Sequence, residues 1–288
     1  QSLVSGADSA LLYDTMLHYK KEDEYLKYEG RVTMVGNFSE AFAGIFSGLL
    51  AVYSLRLPFY VQSGIAFIGI PAAVALTEHA AKTRIKNSFA NIVQIIQYSL
   101  FTNKELCYNI MFSGVIGAAT LTMAWFVQPL LIELDTPTSW FGIIWTILNL
   151  TVGISALYSD KLDQRLGSLR MYTLILFFIV GGYIAVAFNI SYIGLVCLFF
   201  FYIVRGFATP ILKGYINQIT FSEMRATVLS IRNFIIRLMF AAMAPLVGWL
   251  HDLYSLSIAL QATTAIIFVP GLLFLILQYR YKPRETSL

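Results

Sequence analysis

Charge is what this sequence has least of. Only 12% of its 288 residues are charged and 58% are hydrophobic, whereas a soluble domain carries roughly 25% charged and roughly 45–50% apolar residues. A water-soluble core has no room for that many apolar side chains. Cysteine is scarce too. Cys107 and Cys197 both fall inside apolar stretches, where a thiol acts as a small hydrophobe, so neither implies a disulfide framework. His18, His79 and His251 are dispersed, with no His-Glu-x-x-His and no paired aspartates. No metal and no cofactor is therefore expected, and a membrane-embedded enzyme is the weakest functional class. The Gly-x-x-x-x-Gly-Lys-Ser/Thr loop that cradles phosphate in an ATP-driven pump is missing. So is the polar/apolar alternation of an outer-membrane barrel.

What the sequence has instead is long apolar runs. A bilayer's hydrocarbon core takes about 20 helical residues per crossing. Eight complete blocks of that length stand at residues 33–55, 58–76, 106–132, 140–158, 171–188, 192–212, 227–250 and 255–278, and residues 2–19 resemble the tail of a ninth. In lipid the backbone must satisfy itself, so these blocks predict an all-α integral membrane protein.

The basic residues are placed unevenly between the blocks. Lys20, Lys21, Lys27 and Arg31 share one loop; Lys82, Arg84, Lys86 and Lys104 share the next but one; Lys161, Arg165 and Arg170, then Lys213 and Arg225, then Arg280, Lys282 and Arg284 follow at the same alternation. Opposite loops hold Arg56 alone. The positive-inside rule then puts the C-terminus in the cytoplasm and accounts for the net charge of +4 without any nucleic-acid partner. The longest polar stretch, residues 77–104, contains Ile85, Phe89, Ile92, Val93, Ile96 and Leu100 at three- and four-residue steps. That spacing predicts an amphipathic helix lying at the cytoplasmic interface. The chain accordingly divides into the end of one bundle (1–80), a linker (81–104) and a six-helix bundle (105–288).

An internal repeat supports this division. Gly6-Ala7-Asp8-Ser9-Ala10-Leu11-Leu12 is similar to Gly206-Phe207-Ala208-Thr209-Pro210-Ile211-Leu212, and Glu29-Gly30-Arg31-Val32-Thr33 to Glu223-Met224-Arg225-Ala226-Thr227, in the same order. Parallel six-helix repeats with a site at the midplane are one way transporters are built.

These residues resemble the major facilitator superfamily. The Gly-Ala-Asp-x-Ala-Leu-x-Tyr-Asp segment at 6–14 is similar to the close of that family's helix four in bacterial members, and the stretch from Arg205 to Ser230 to its helix ten, turn and start of helix eleven. Ser159-Asp160-Lys161-Leu162 through Arg165-Leu166-Gly167 is similar to its Gly-x-x-x-Asp-Arg-x-Gly loop, with Ala156 where the first Gly is expected. The resemblance implies a bundle of two six-helix pseudo-repeats, of which this chain carries the end of helix four to helix twelve, the first three helices lying outside it. It also implies a multi-pass protein of the bacterial inner membrane. The activity implied is secondary transport of a small-molecule substrate by alternating access, coupled to protons or another ion or running down the solute's own gradient, with efflux the preferred direction. A transporter fold used as a sensor or scaffold is the alternative.

Charges left inside the blocks are the candidate site, because each costs several kcal/mol if it faces lipid. Asp8, Glu40, Arg205 and Arg237, with the polar Gln128 and Asn149, are the candidates for a substrate or ion cavity. Asp14, Arg31, Asp160, Lys161, Arg165, Glu223 and Arg225 stand at cytoplasmic helix ends and are the gate candidates. Arg232 lies close enough to a helix end to snorkel. Asp8 and Arg205, on repeat-related helices, are the two charges expected to pair.

Overall fold

The structure is a computed structural model, and it describes residues 6–54, 56–75 and 89–281. Among these residues there is no strand. Eleven α-helices follow one another: α1 (Ala7–His18), α2 (Tyr25–Tyr53), α3 (Leu57–Val74), α4 (Phe89–Gln97), α5 (Lys104–Glu133), α6 (Thr138–Ala156), α7 (Ser159–Leu166), α8 (Ser168–Phe188), α9 (Tyr192–Gln218), α10 (Ser222–Leu253) and α11 (Leu256–Tyr281). Each of the eight expected crossings falls on one helix. α5, α8, α9, α10 and α11 are long and apolar enough to span a bilayer, and α6 with α7 counts as a sixth if that pair, bent by 50°, forms one broken span. α3 offers a shorter apolar stretch, and α2 carries Glu29, Arg31, Asn37 and Glu40 along its length, which dilutes its hydropathy.

Helix starts obey local chemistry where a cap is available. The Asn103 side chain accepts from Leu106 N at the head of α5, and Ser191 from Ile193 N at the head of α9. Contacts then sort the ends. Lys104 Nζ donates to Tyr281 Oη at 3.1 Å, and the Thr173 and Tyr279 hydroxyls share a hydrogen bond at 3.0 Å. Asp14 pairs with Arg225. The starts of α5, α8 and α10 therefore meet the ends of α1 and α11 at one pole, hereafter the basic end because most of the described Lys and Arg residues cluster there. At the opposite pole His251 Nε2 lies 3.5 Å from Glu133 Oε1, joining the ends of α5 and α10.

The main core fills the space between α5, α6, α8, α9 and α11, from Phe112 and Met123 to Tyr183, Phe201 and Ile267. One of its buried hydroxyls finds a backbone partner, as hydrocarbon demands: Tyr183 Oη donates to the Ala119 carbonyl at 2.6 Å. α6 is the spine. It packs between α2 and α9, and the two contacts need glycine, because a Cβ at Gly30 would strike the Ala156 carbonyl oxygen and one at Gly206 would sit 2.5 Å from that of Val152. Gly114 and Gly117 give α10 a similar approach to α5, through Ile235 and Ile236, whereas Gly44 makes only an ordinary contact with Thr146.

Two expectations change in detail. Residues 159–166 form a helix rather than a loop, with Asp160 accepting from Gln164 of the same helix and, among the described residues, reaching no neighbouring helix. It is Asp163 that receives a neighbour's bond, from Tyr215 Oη on α9. The amphipathic linker helix is present as α4, continued by a π turn from Tyr98 to Thr102; Ile95, Tyr98 and Leu100 pack on a small cluster around Ile110, Val228 and Leu229, so this part docks on the bundle. Lys82, Arg84, Ile85 and Lys86 lie outside the described residues.

Candidate functional site

Three of the residues picked from sequence border one cavity. Its volume is about 510 Å³, and its lining comes from the far half of α5, the first turns of α6, the middle of α2 and the middle of α9. Glu40, Gln128 and Arg205 supply its polar groups. Trp125, Phe141 and Trp145 supply aromatic surface. The volume falls within the ~300–1,000 Å³ of small-molecule sites.

The two charges do not meet. Among the described residues no ion pair joins Glu40, which is exposed, to Arg205. Arg205 instead rests over the Tyr202 ring, its Cζ 5.4 Å from the centroid. Its Nη1 and the Tyr202 hydroxyl are both shielded from solvent, and neither makes a well-formed hydrogen bond among the described residues, although the two groups interact with each other. A guanidinium with an unused donor in a protein interior costs free energy that a cation–π contact offsets only in part.

Among the described residues the expected pair of Asp8 with Arg205 is not made. Asp8 is exposed on α1, and its neighbour Ser9 reaches Tyr25 and Glu29, which sets Asp8 at the depth of the basic end rather than of the cavity. Asn149 and Arg237 do not line the cavity either: Asn149 is buried and donates to the Trp145 carbonyl at 3.0 Å, and Arg237 is exposed on α10. Arg232 does not snorkel. It is buried, donating from Nε to Ser113 Oγ at 2.5 Å and from Nη1 to Asn233 Oδ1 at 2.9 Å.

At the basic end two ties cross from α1 and α2 to α9 and α10. In the first, Arg225, 4% exposed, pairs with Asp14. Arg225 also donates to the Thr220 and Asn217 carbonyls at 2.7 and 3.3 Å and stacks 4.2 Å from the centre of the Tyr13 ring, while Ser222 Oγ donates to Asp14 at 2.6 Å. In the second, Lys213 Nζ donates to Glu29 Oε1 at 2.8 Å. Glu29 is buried and takes a further bond from Ser9 Oγ at 3.1 Å. The Ser9 and Tyr25 hydroxyls are 2.7 Å apart, and Asn217 Nδ2 donates to Tyr25 Oη at 2.8 Å. With Ser9 donating to Glu29, Tyr25 donates to Ser9, and the bonds run in one sense from Asn217 to the carboxylate, an arrangement that strengthens each member. The edge-on Tyr13 and Tyr25 rings, 4.9 Å between centroids, join the two ties.

Of the gate candidates, then, the structure brings Asp14 and Arg225 together. Arg31 lies over the Tyr28 ring at 5.2 Å, and Lys161, Arg165 and Glu223 are exposed. Glu29, Lys213, Tyr25 and Ser9 were not singled out from sequence as site residues, whereas Asn217 was expected as a polar neighbour of the intramembrane charges. The available signal was the repeat itself, since Glu29 opens the copy that matches Glu223.

A search of curated proteins finds no match to the chain. The family profile described as Major Facilitator Superfamily matches residues 2–235, most of the chain. All-helical throughout its described length, carrying several bilayer-spanning apolar helices and matched by that profile over most of its residues, the chain belongs to the Major Facilitator Superfamily of membrane transporters.

Proposed function

We propose that the chain moves a small solute across a bacterial inner membrane by alternating access, with the cavity between α2, α5, α6 and α9 as solute site. The two ties at the basic end are the latch that holds that end shut. The basic end is the cytoplasmic one, by the charge asymmetry of the loops. Residues 1–80 and 105–288 act as parts of two bundles that rock about the cavity, with 81–104 linking them. The single observation that carries this reading is a contrast along two helices. α2 and α9 are joined by Glu29–Lys213 at the basic end, yet farther along the same helices Glu40 and Arg205 stand unpaired beside a cavity. Closed at one end and open deeper in, this is the shape of one state of an alternating pair.

Glu40 is the acid of the described lining, so it is the group that carries a coupling proton, and outward export is the direction the sequence resemblance favours. The test is solute flux in liposomes containing the natural full-length protein, under an imposed proton gradient, with wild type and Glu40→Gln compared. Gradient-driven flux in wild type and only downhill exchange in the variant is the expected outcome. Flux that ignores the gradient in wild type refutes proton coupling, and no flux of any solute in a chemically broad panel refutes transport.

A further inference from the structure

The charge placement within the cavity narrows the chemistry of its ligand. The inference rests on the reading of this cavity as a solute site. Glu40 and Arg205 border the same 510 Å³ space and, among the described residues, are not bridged by an ion pair, and Arg205 keeps a solvent-shielded Nη1 without a well-formed hydrogen bond. Among the described residues no other ionisable side chain lines the cavity. A ligand bearing one charge answers one of these groups and leaves the other without a counter-charge, which is costly above all for Arg205, whose Nη1 is shielded from solvent. A neutral ligand leaves both. A zwitterion answers both at once, with no net change of charge in the site whether it is full or empty.

The geometry points to a zwitterionic substrate with an aromatic or apolar body: its carboxylate, or an equivalent oxyanion, is taken by Arg205, its ammonium by Glu40, and its body by Trp125, Phe141 and Trp145. The planar guanidinium fork suits a carboxylate bidentately. The tryptophan and phenylalanine faces suit both an apolar body and the approach of an ammonium group, and Gln128 offers one further donor and acceptor.

The test measures binding of two zwitterions of different size, L-tryptophan and ciprofloxacin, to the natural full-length protein in lipid nanodiscs by calorimetry. Each is compared with its N-acetyl form, which lacks the cation, and its carboxamide, which lacks the anion. Wild type should prefer at least one parent zwitterion over both of its derivatives by about tenfold or more, the scale of one charge-assisted hydrogen bond. Arg205→Gln should erase the preference for acid over carboxamide while keeping that for free over acetylated amine, and Glu40→Gln should do the reverse. Arg205→Lys, which keeps the charge, should retain part of the acid preference and serves if the glutamine variant does not fold. Derivatives that bind as tightly as their parents, variants that lose the wrong preference, or binding of neither zwitterion overturn the proposal. Transport of a singly charged solute with no zwitterion bound sinks this inference and leaves the transport reading standing; zwitterion binding without any flux does the opposite.

Discussion

Replacing Asp14 by Asn removes the anion of the first tie while keeping an oxygen for Ser222 to donate to, so it isolates the charge. Breaking a buried ion pair from one side costs about 3–5 kcal/mol. Here the figure should be smaller, for two reasons that can be read from the structure. Arg225 keeps the Thr220 and Asn217 carbonyls and the Tyr13 ring, and the Asp14 side chain is 23% exposed, so water reaches the vacated position. About 2–3 kcal/mol is left. Any motion that separates α1 from α10 relieves that strain, so the equilibrium should shift toward an open basic end by roughly 30-fold to 140-fold, at 1.4 kcal/mol per decade. Spin labels at Leu17 and Phe221, both exposed and on either side of the tie, read the shift as growth of a longer-distance population. Arg225→Gln should do the same, and the double variant should fall short of the sum, by about 0.5–3 kcal/mol of coupling. Distance distributions that stay identical in wild type and both single variants would refute the latch.

The second tie should be less tolerant of losing its base than of losing both members. Lys213→Met leaves Glu29, at 1% exposure, as a buried charge without its ion-pair partner, and should lower stability in detergent by about 3 kcal/mol, while Glu29→Leu with Lys213→Met should recover most of that in thermal melts. The pair at the opposite pole behaves differently: Glu133 and His251 are each about a third exposed, so Glu133→Gln should move stability by less than about 1 kcal/mol. Gly206→Val places a branched side chain where even a Cβ would meet the Val152 carbonyl oxygen and Ser155, and should cost about 1–3 kcal/mol of stability by forcing α6 from α9.

The number and order of the long apolar helices were legible because apolar block length is a direct consequence of bilayer thickness. Helix ends were not. α2 begins at Tyr25 rather than at residue 33, α9 runs to Gln218 rather than 212, and α10 begins at Ser222 rather than 227. Reading by apolarity trims the polar turns that continue a helix past the hydrocarbon. Glu29, Lys213 and Arg225 all lie in those trimmed turns, which is why the first two were counted as loop charges when the structure engages them in a tie, Glu29 buried and Lys213 half-buried. The cavity candidates fared unevenly for a related reason: Glu40, Gln128 and Arg205 meet in one space, but Asp8 was set opposite Arg205 through a short repeat alignment. A depth assigned that way is off by turns when the two copies join their helices through loops of different length.

The placement of charge on α2 and α9 ties the two ends of the site together mechanically. α2 carries acids, Glu29 and Glu40, eleven positions or about 16 Å apart at 1.5 Å per residue. α9 carries bases, Arg205 and Lys213, eight positions or about 12 Å apart. The helices thus present two opposite-charge couples at two levels, with Leu26 of α2 packed against the flat face of Gly214 just beside the lower one. Because each helix is stiff over this length and the Leu26–Gly214 contact lies beside the lower couple, a ligand that drew Glu40 and Arg205 together would close the upper level about that contact while the Glu29–Lys213 tie stays made.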